Sequence, residues 1–321
     1  MTKIILVTGG LGFIAKHFIS NRLDKGDYII CVDSKSYCAD GVFLNNINSH
    51  PNFKFVHCKI QELSYLPLCD IVINFAAESS VDKSFTTPAD FISTNIRGVE
   101  NLLNLIITKR NEDRPKFIQI STDEVYGPSY KILREESKLN PCNPYAASKA
   151  AAEMLIHGYS KSYNITYDII RMSNVYGPNQ YPEKLIPKTC YRLSKGLPPV
   201  SHVSDNSVVR TWLHVLDAID AINEIINFIH NNEIYNIAGK DTIPVKEVIS
   251  KIKEFSGSNL DIELVENRLY QDAAYNISSE KLSLLIGWKP VRDFNTELRK
   301  IVENFDPKRF IQPWNGIKIK A

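Results

Sequence analysis

The sequence predicts an α/β protein built on an open, doubly wound parallel sheet, with a smaller substrate-binding part toward its carboxyl end. Three observations carry this reading. Short β-rich runs alternate with helical stretches through the first 175 residues, a glycine-rich turn follows the first run, and the alternation then loosens into proline-punctuated chain. Strands joined through helices cross over right-handedly and lie parallel, which requires helices on both faces of the sheet. A chain of 321 residues exceeds the usual size of a single core. The expected division is therefore 1–175, with 211–237 returning to it, and 176–321 as the second part.

Residues 3–8 form the first apolar run, and residues 15–25 follow with helical spacing at Phe18, Ile19 and Leu23. Residues 28–33, 53–58 and 71–76 read as the next three strands. The crossover from 60 to 70 is short and contains Pro67, so its helix is cut to a turn or two. Residues 91–107 form a long amphipathic helix, 116–121 a strand, 144–163 a second long helix and 165–172 a strand. Pro178, Pro182, Pro187, Pro198 and Pro199 mark a loop-rich stretch. A helix at 215–230 and a strand at 234–237 are placed to rejoin the main sheet, while 245–256, 280–286 and 296–304 read as helices of the carboxyl-terminal part. Ligands of open α/β sheets bind beyond the carboxyl ends of the strands, so the cleft between the two parts is the expected site.

Composition narrows the class. The formal net charge is +2, with acids and bases mixed and no basic run of the kind that grips nucleic acid. Lys318 and Lys320 read as a solvated end. No apolar run approaches the roughly 20 residues that span a bilayer. The apolar run at 4–7 stops at Thr8-Gly9-Gly10, a strand entering a turn rather than a signal sequence, so a cytoplasmic protein is expected. Six cysteines form no Cys-x-x-Cys pair and have no histidines at zinc spacing; free thiols, mostly in the core, and no metal are expected.

Thr8-Gly9-Gly10-Leu11-Gly12-Phe13-Ile14-Ala15 links the first strand to the first helix. Gly9 permits a tight turn and Gly12 lets backbone approach a pyrophosphate at the helix amino terminus. The alternative is a plain tight turn. Asp33, at the end of the second strand, favours the dinucleotide reading, because an acid there accepts hydrogen bonds from a ribose diol and repels a 2′-phosphate. That selects NAD over NADP, with Lys16 and Lys35 placed to soften the preference.

The fifth strand runs into Thr122-Asp123-Glu124-Val125-Tyr126-Gly127, and Tyr145 and Lys149 follow on one helical face at i, i+4. An ammonium beside a phenol favours phenolate, so Tyr145 is expected to have a lowered pKa and to act as a general base. Taken alone, this spacing also suits a surface pair, and two adjacent carboxyls also suit a solvated loop.

Together these motifs resemble the extended short-chain dehydrogenase/reductase family, with its Rossmann-like fold. Thr8 to Ala15, Asp33, Asn74-Phe75-Ala76-Ala77-Glu78-Ser79, Thr94-Asn95 and Tyr145/Lys149 carry the likeness, which runs from residue 3 to about residue 290. Ser121-Thr122-Asp123-Glu124-Val125-Tyr126-Gly127 and the run from Ser173-Asn174-Val175-Tyr176-Gly177-Pro178 to Pro187 are similar to the dTDP- and UDP-glucose 4,6-dehydratases. The resemblance implies an NAD site formed by Gly9, Gly12, Phe13, Ile14, Asp33, Ala76, Tyr145 and Lys149. It implies that Tyr145 takes the C4 hydroxyl proton as hydride passes from C4 to NAD, with Thr122 bonded to the C4 oxygen. Glu124 then removes the C5 proton, Asp123 protonates the departing C6 hydroxyl, and hydride returns to C6.

The same resemblance places Ser79, Thr122, Asn174, Lys184 and Leu185 against a sugar nucleotide, with Arg210 on its diphosphate and Arg268 at its nucleotide end. For each arginine the alternative is a surface salt bridge. Leu269-Tyr270-Gln271 stands where bacterial dTDP-glucose enzymes usually carry Pro-Gly-His, which favours UDP-glucose. Lys59-Ile60 replaces an acid-isoleucine pair that the family places against adenine. A homodimer through a four-helix bundle of 91–107 and 144–163 is implied, with Ala146, Ala147, Ala150, Ala151 and Ala152 as a small-residue surface. A 4-epimerase or decarboxylase of the same fold, or a catalytically idle binding relative, is the competing expectation.

Overall fold

Isoleucine- and valine-rich runs make strands that hide both faces. The computed structural model describes residues 2–228, 231–267, 269–270 and 272–310. Its strands are β1 (Ile4–Thr8), β2 (Tyr28–Asp33), β3 (Phe53–His57), β4 (Ile71–Asn74), β5 (Lys116–Thr122), β6 (Tyr167–Met172), β7 (Asn174–Tyr176), β8 (Val200–His202), β9 (Val209–His214), β10 (Glu233–Ile237), β11 (Asp241–Pro244) and β12 (Glu263–Val265). Seven of them form one parallel sheet in the order β3-β2-β1-β4-β5-β6-β10. The chain order reverses between β1 and β4, and the crevice at that reversal is where such sheets bind ligands.

The helices are α1 (Phe13–Asp24), α2 (Gly41–Ile47), α3 (Val81–Thr86), α4 (Pro88–Phe91), α5 (Gly98–Ile107), α6 (Pro144–Tyr163), α7 (Leu185–Ser194), α8 (Val215–Asn227), α9 (Val245–Phe255), α10 (Glu280–Ile286) and α11 (Phe294–Glu303). One face of the sheet is covered by α1 and α8, with Phe18, Ile19, Ile219 and Ile222 on Ile5, Val7 and Ile29. The other is covered by α5 and α6, with Leu102, Leu103, Ile106 and Ile156 on Leu6, Val72 and Phe117. Each such side chain withdrawn from water contributes roughly 1.5–3 kcal/mol. A separate cluster of Tyr176, Ile186, Trp212, Val248, Phe294 and Leu298 holds α7, α9 and α11 to the three-stranded sheet β11-β9-β7.

Local signals explain where α6 begins and ends. Asn143 accepts from Ala146 N, Pro144 takes the first position, and Asn164 stops the helix at φ 57°. The expected helix 91–107 is instead α4, a π-wound turn at Ile92–Arg97 and α5. The wide turn coincides with buried Asn95, which donates to Glu78 O and Ser148 Oγ. The crossover after β3 keeps a single 3₁₀ turn, Ile60–Glu62.

Two expectations need correction. The loop-rich stretch after 175 carries a helix that the prolines gave no reason to place: α7 forms within it, because Pro187 falls in the first turn, where no intrahelical N–H is required. The alanines of α6 do not share one surface, since Ala146, Ala150 and Ala152 are buried within the chain. Of the cysteines, all free, Cys31, Cys69 and Cys190 are buried and the other three are half-buried. No helix among the described residues is long and apolar enough to cross a membrane. Lys318, Lys320 and the last two residues of the helix expected at 215–230 lie outside the described residues.

Candidate active site

A cavity of about 440 Å³ opens at the carboxyl ends of β1, β4, β5 and β6. Gly9, Gly12, Phe13 and Ile14 form one end of it. Gly9 stands at φ 63°, and a Cβ there would lie 2.6 Å from the Ala76 backbone, so only glycine fits this crossing of the first turn and the chain after β4. No side chain caps α1, leaving its first amides to whatever occupies the cavity.

Asp33 is buried at the end of β2 and accepts from Leu11 N (3.0 Å) and Lys35 N (2.7 Å). A carboxylate has about four lone-pair sites, so acceptor capacity remains. Asp33 and Ala76 stand outside the cavity lining. Lys16 does not offer a free cation: its ammonium is bonded to Asp40 Oδ2 and Asn179 O.

Strand β5 delivers Thr122, Asp123 and Glu124 to the cavity, and α6 delivers Tyr145 and Lys149. Asn143 holds this junction with both ends of one amide. Its oxygen caps α6, and its nitrogen donates to Glu124 Oε2 at 2.9 Å. Thr122 Oγ1 lies 3.3 Å from Asp123 Oδ1, while Asp123 Oδ2 has no partner among the described residues. Burial, and then the charge of Glu124, push Asp123 up to about 8. Burial also raises Glu124, against the hydrogen bond from Asn143. The site therefore holds a carboxyl that keeps its proton at neutral pH beside a second carboxyl.

The ammonium–phenol pairing expected from the i, i+4 spacing is not what the structure shows. Lys149 Nζ donates to Ile120 O at 2.6 Å. Tyr145 is pushed up rather than down, first by burial and then by Glu124, with a hydrogen bond to Thr122 working against that. Lys149 falls to about 8 through burial, opposed by Glu153. The reason is that spacing selects a helical face, whereas the carbonyl of the neighbouring strand takes the ammonium.

The second wall carries Ser79, Asn174, Lys184, Leu185 and Arg210. Lys184 Nζ donates to Ser79 O at 2.7 Å, tying the loop after β4 to the start of α7. Arg210 donates to Val209 O and Asp272 O and lies 5.1 Å from the Tyr275 ring. Arg268 lies outside the described residues. Asn143, which holds Glu124, and two lining residues, Asp272 and Tyr275, were not foreseen as site residues. Asn143 carried a legible signal, an asparagine just before a proline at a helix start. The other two, with Asp272 Oδ1 and the Tyr275 hydroxyl buried and unpartnered among the described residues, sit in irregular chain with no periodicity to mark them.

Comparison with known proteins agrees with this geometry. A family model described as GDP-mannose 4,6 dehydratase matches residues 6–301. The dTDP-D-glucose 4,6-dehydratase of Homo sapiens is 38% identical over 94% of this chain and 89% of its own length. A trifunctional UDP-glucose 4,6-dehydratase/UDP-4-keto-6-deoxy-D-glucose 3,5-epimerase/UDP-4-keto-L-rhamnose-reductase of Arabidopsis thaliana is 39% identical, with 94% of this chain matching 47% of that protein. Among solved structures, the dTDP-glucose 4,6-dehydratase of Streptomyces venezuelae, with NAD bound, superposes with a TM-score of 0.89 at 31% identity, covering 94% of this chain and 96% of that one. The motifs, the seven-stranded sheet and these matches converge: the chain belongs to the GDP-mannose 4,6 dehydratase family, within the extended short-chain dehydrogenases/reductases.

Proposed function

We propose that this protein is a nucleoside-diphosphoglucose 4,6-dehydratase, with UDP-glucose preferred over dTDP-glucose. The observation that carries the reading is buried Asp123 beside half-buried Glu124, set in one cavity with Thr122 and Tyr145. A carboxyl that keeps its proton up to about pH 8 suits donation to a departing C6 hydroxyl. Glu124, oriented by Asn143, suits removal of the C5 proton. Proton transfers of this kind each contribute roughly 10²–10⁴-fold. A 4-epimerase has no use for two carboxyls here, because it breaks no C–O bond.

The uncapped start of α1 and the glycine cradle beside Ala76 fit a dinucleotide pyrophosphate, and Asp33 fits its ribose diol. When bound, NAD would supply the hydride acceptor at C4, and its positive charge would oppose the burial and the Glu124 charge that hold Tyr145 protonated. Thr122 and Tyr145 then orient the C4 hydroxyl, and Tyr145 accepts its proton. Lys149, fixed by Ile120 O, places a cation on the ribose side. Ser79, Asn174, Lys184, Leu185 and Arg210 hold the sugar nucleotide, with Arg268 at its far end. In this reading β1 to β6 with β10 serve the cofactor, and most of the chain after 175 serves the sugar nucleotide. The UDP preference rests on Leu269-Tyr270-Gln271. We further propose a homodimer paired through α5 and α6.

A product assay tests the reaction. Purified protein receives UDP-glucose and dTDP-glucose separately with a little NAD, and mass spectrometry follows loss of one water. A 4-keto product in many-fold excess over NAD, faster from UDP-glucose and abolished by Glu124→Gln, is expected. No water loss from either sugar overturns the proposal.

A further inference from the structure

One charged, part-buried cluster at the glycine-turn end of the cavity has no task in the chemistry above. Lys16 lies in the first turn of α1, yet it is only 5% exposed. A cation there opposes the helix dipole and loses its hydration, and burial lowers its pKa. It is held by Asp40 Oδ2 (2.7 Å) and by the carbonyl of Asn179 (2.7 Å), in the loop after β7. The same Asp40 oxygen accepts from Arg309 Nη2 at 2.8 Å. The other Asp40 oxygen caps α2 by accepting from Phe43 N, and the Asp40 backbone N donates to Leu11 O in the glycine turn.

Three charged side chains thus join four pieces of chain: the glycine turn with α1, the start of α2, the loop after β7, and the carboxyl-terminal turn Pro307–Phe310. Lys16, Asp40, Arg309 and Phe310 all line the main cavity. Phe310 adds an apolar half to the contact, edge-on to Tyr181 at 6.2 Å and stacked on Phe305 at 5.6 Å.

We infer that Arg309, acting through Asp40 and Lys16, is a positioning residue that clasps the carboxyl-terminal turn over the dinucleotide end of the cavity and slows release of the cofactor. This rests on the dehydratase reading. That reaction takes two electrons from C4 as hydride and returns two to C6 of the same sugar. The cofactor ends each turnover unchanged and has no need to leave. A cofactor that departs early carries the hydride away and strands the sugar as an oxidised 4-ketone. A clasp is therefore compatible with turnover here, as it is not for a dehydrogenase that must exchange its cofactor every cycle.

The test compares NAD dissociation rates, measured on the loaded full chain after rapid desalting, in wild type, Arg309→Gln, Arg309→Lys and the remote surface variant Arg110→Gln. Arg309→Gln is expected to release NAD about tenfold faster, a 1.4 kcal/mol effect. Arg309→Lys, which keeps a cation within reach of Asp40, restores slow release, and Arg110→Gln matches wild type. With sugar nucleotide present, Arg309→Gln also loses reduced dinucleotide to solution in a larger share of turnovers. Dissociation rates within twofold of wild type in Arg309→Gln overturn the clasp. If wild type dehydrates neither sugar, the proposed reaction falls, while the dissociation rates still judge the clasp.

Discussion

Burial of Asp123 beside Glu124 means that the folded protein holds a proton the unfolded chain has already lost. The carboxyl titrates near 3.8 when unfolded and near 8 when folded. Between those values the native state binds the extra proton, so stability falls as pH rises from about 4 to about 8. Asp123→Asn removes that dependence. The variant is expected to melt above wild type at pH 8, by about 2–4 °C for each kcal/mol recovered, with the gap closing toward pH 4. The variant that gains stability loses catalysis. A general acid must be protonated, so kcat/KM of wild type is expected to fall above about pH 8, and Asp123→Asn loses both that limb and roughly 10²–10⁴-fold in kcat. A variant that keeps the alkaline limb at full rate removes Asp123 from the acid role. The types and spacing of Thr122, Asp123, Glu124, Tyr145 and Lys149 were legible in sequence, because each is fixed by one strand end or one helical face. Their electrostatics were not, because Ile120 O and Glu153, which act on Lys149, arrive from the fold.

The elements that carry these groups are gripped by one buried pair, Glu153 on α6 and Arg171 on β6, at 0% and 2% exposure. Arg171 bonds both Glu153 oxygens, and Ser121 Oγ, one residue before Thr122, donates to Glu153 Oε1. Arg171 also donates to the Tyr126 hydroxyl, which donates to Asn236 on β10. Glu153→Ala leaves a guanidinium buried without its counter-charge, so it is expected to destabilise the protein by about 3–5 kcal/mol in urea unfolding. A paired apolar replacement, Glu153→Leu with Arg171→Met, should recover much of that loss. Equal stability of the single and double variants would show that the ion pair is not the cause. Elements with caps or long periodicity were legible: α6 and α10 were placed to the residue, and β2 likewise. Strands of three residues, such as β7, β8 and β12, have no periodicity to read, and α7 was hidden by a proline that its first turn tolerates.

At the scale of the whole molecule, the parallel, doubly wound character of the sheet followed from alternation and handedness, whereas its strand order and the joining of both parts around one cavity depend on contacts far apart in sequence, such as Lys184 on Ser79 and Arg309 on Asp40. The outer surface poses a remaining question, because α6 buries Ala146, Ala150 and Ala152 inward yet leaves Ala147 and Met154 exposed and Ala151 half-buried at helical spacing, with Gly158 one turn on. Small residues let a second helix approach closely, and Met154, 56% exposed, adapts to an irregular partner surface. Ile92 and Tyr163 extend the apolar surface at 49% and 48%. A two-fold pairing of such a face matches it to itself, so one charge introduced at its centre meets its own copy across the axis. The proposed homodimer therefore predicts a single dimeric species in sedimentation at micromolar concentration, and a shift to monomer in Met154→Arg with the melting of the cofactor-loaded chain otherwise retained. A wild-type protein that sediments as monomer throughout that range removes the four-helix pairing and leaves this stripe as ordinary solvent-facing helix.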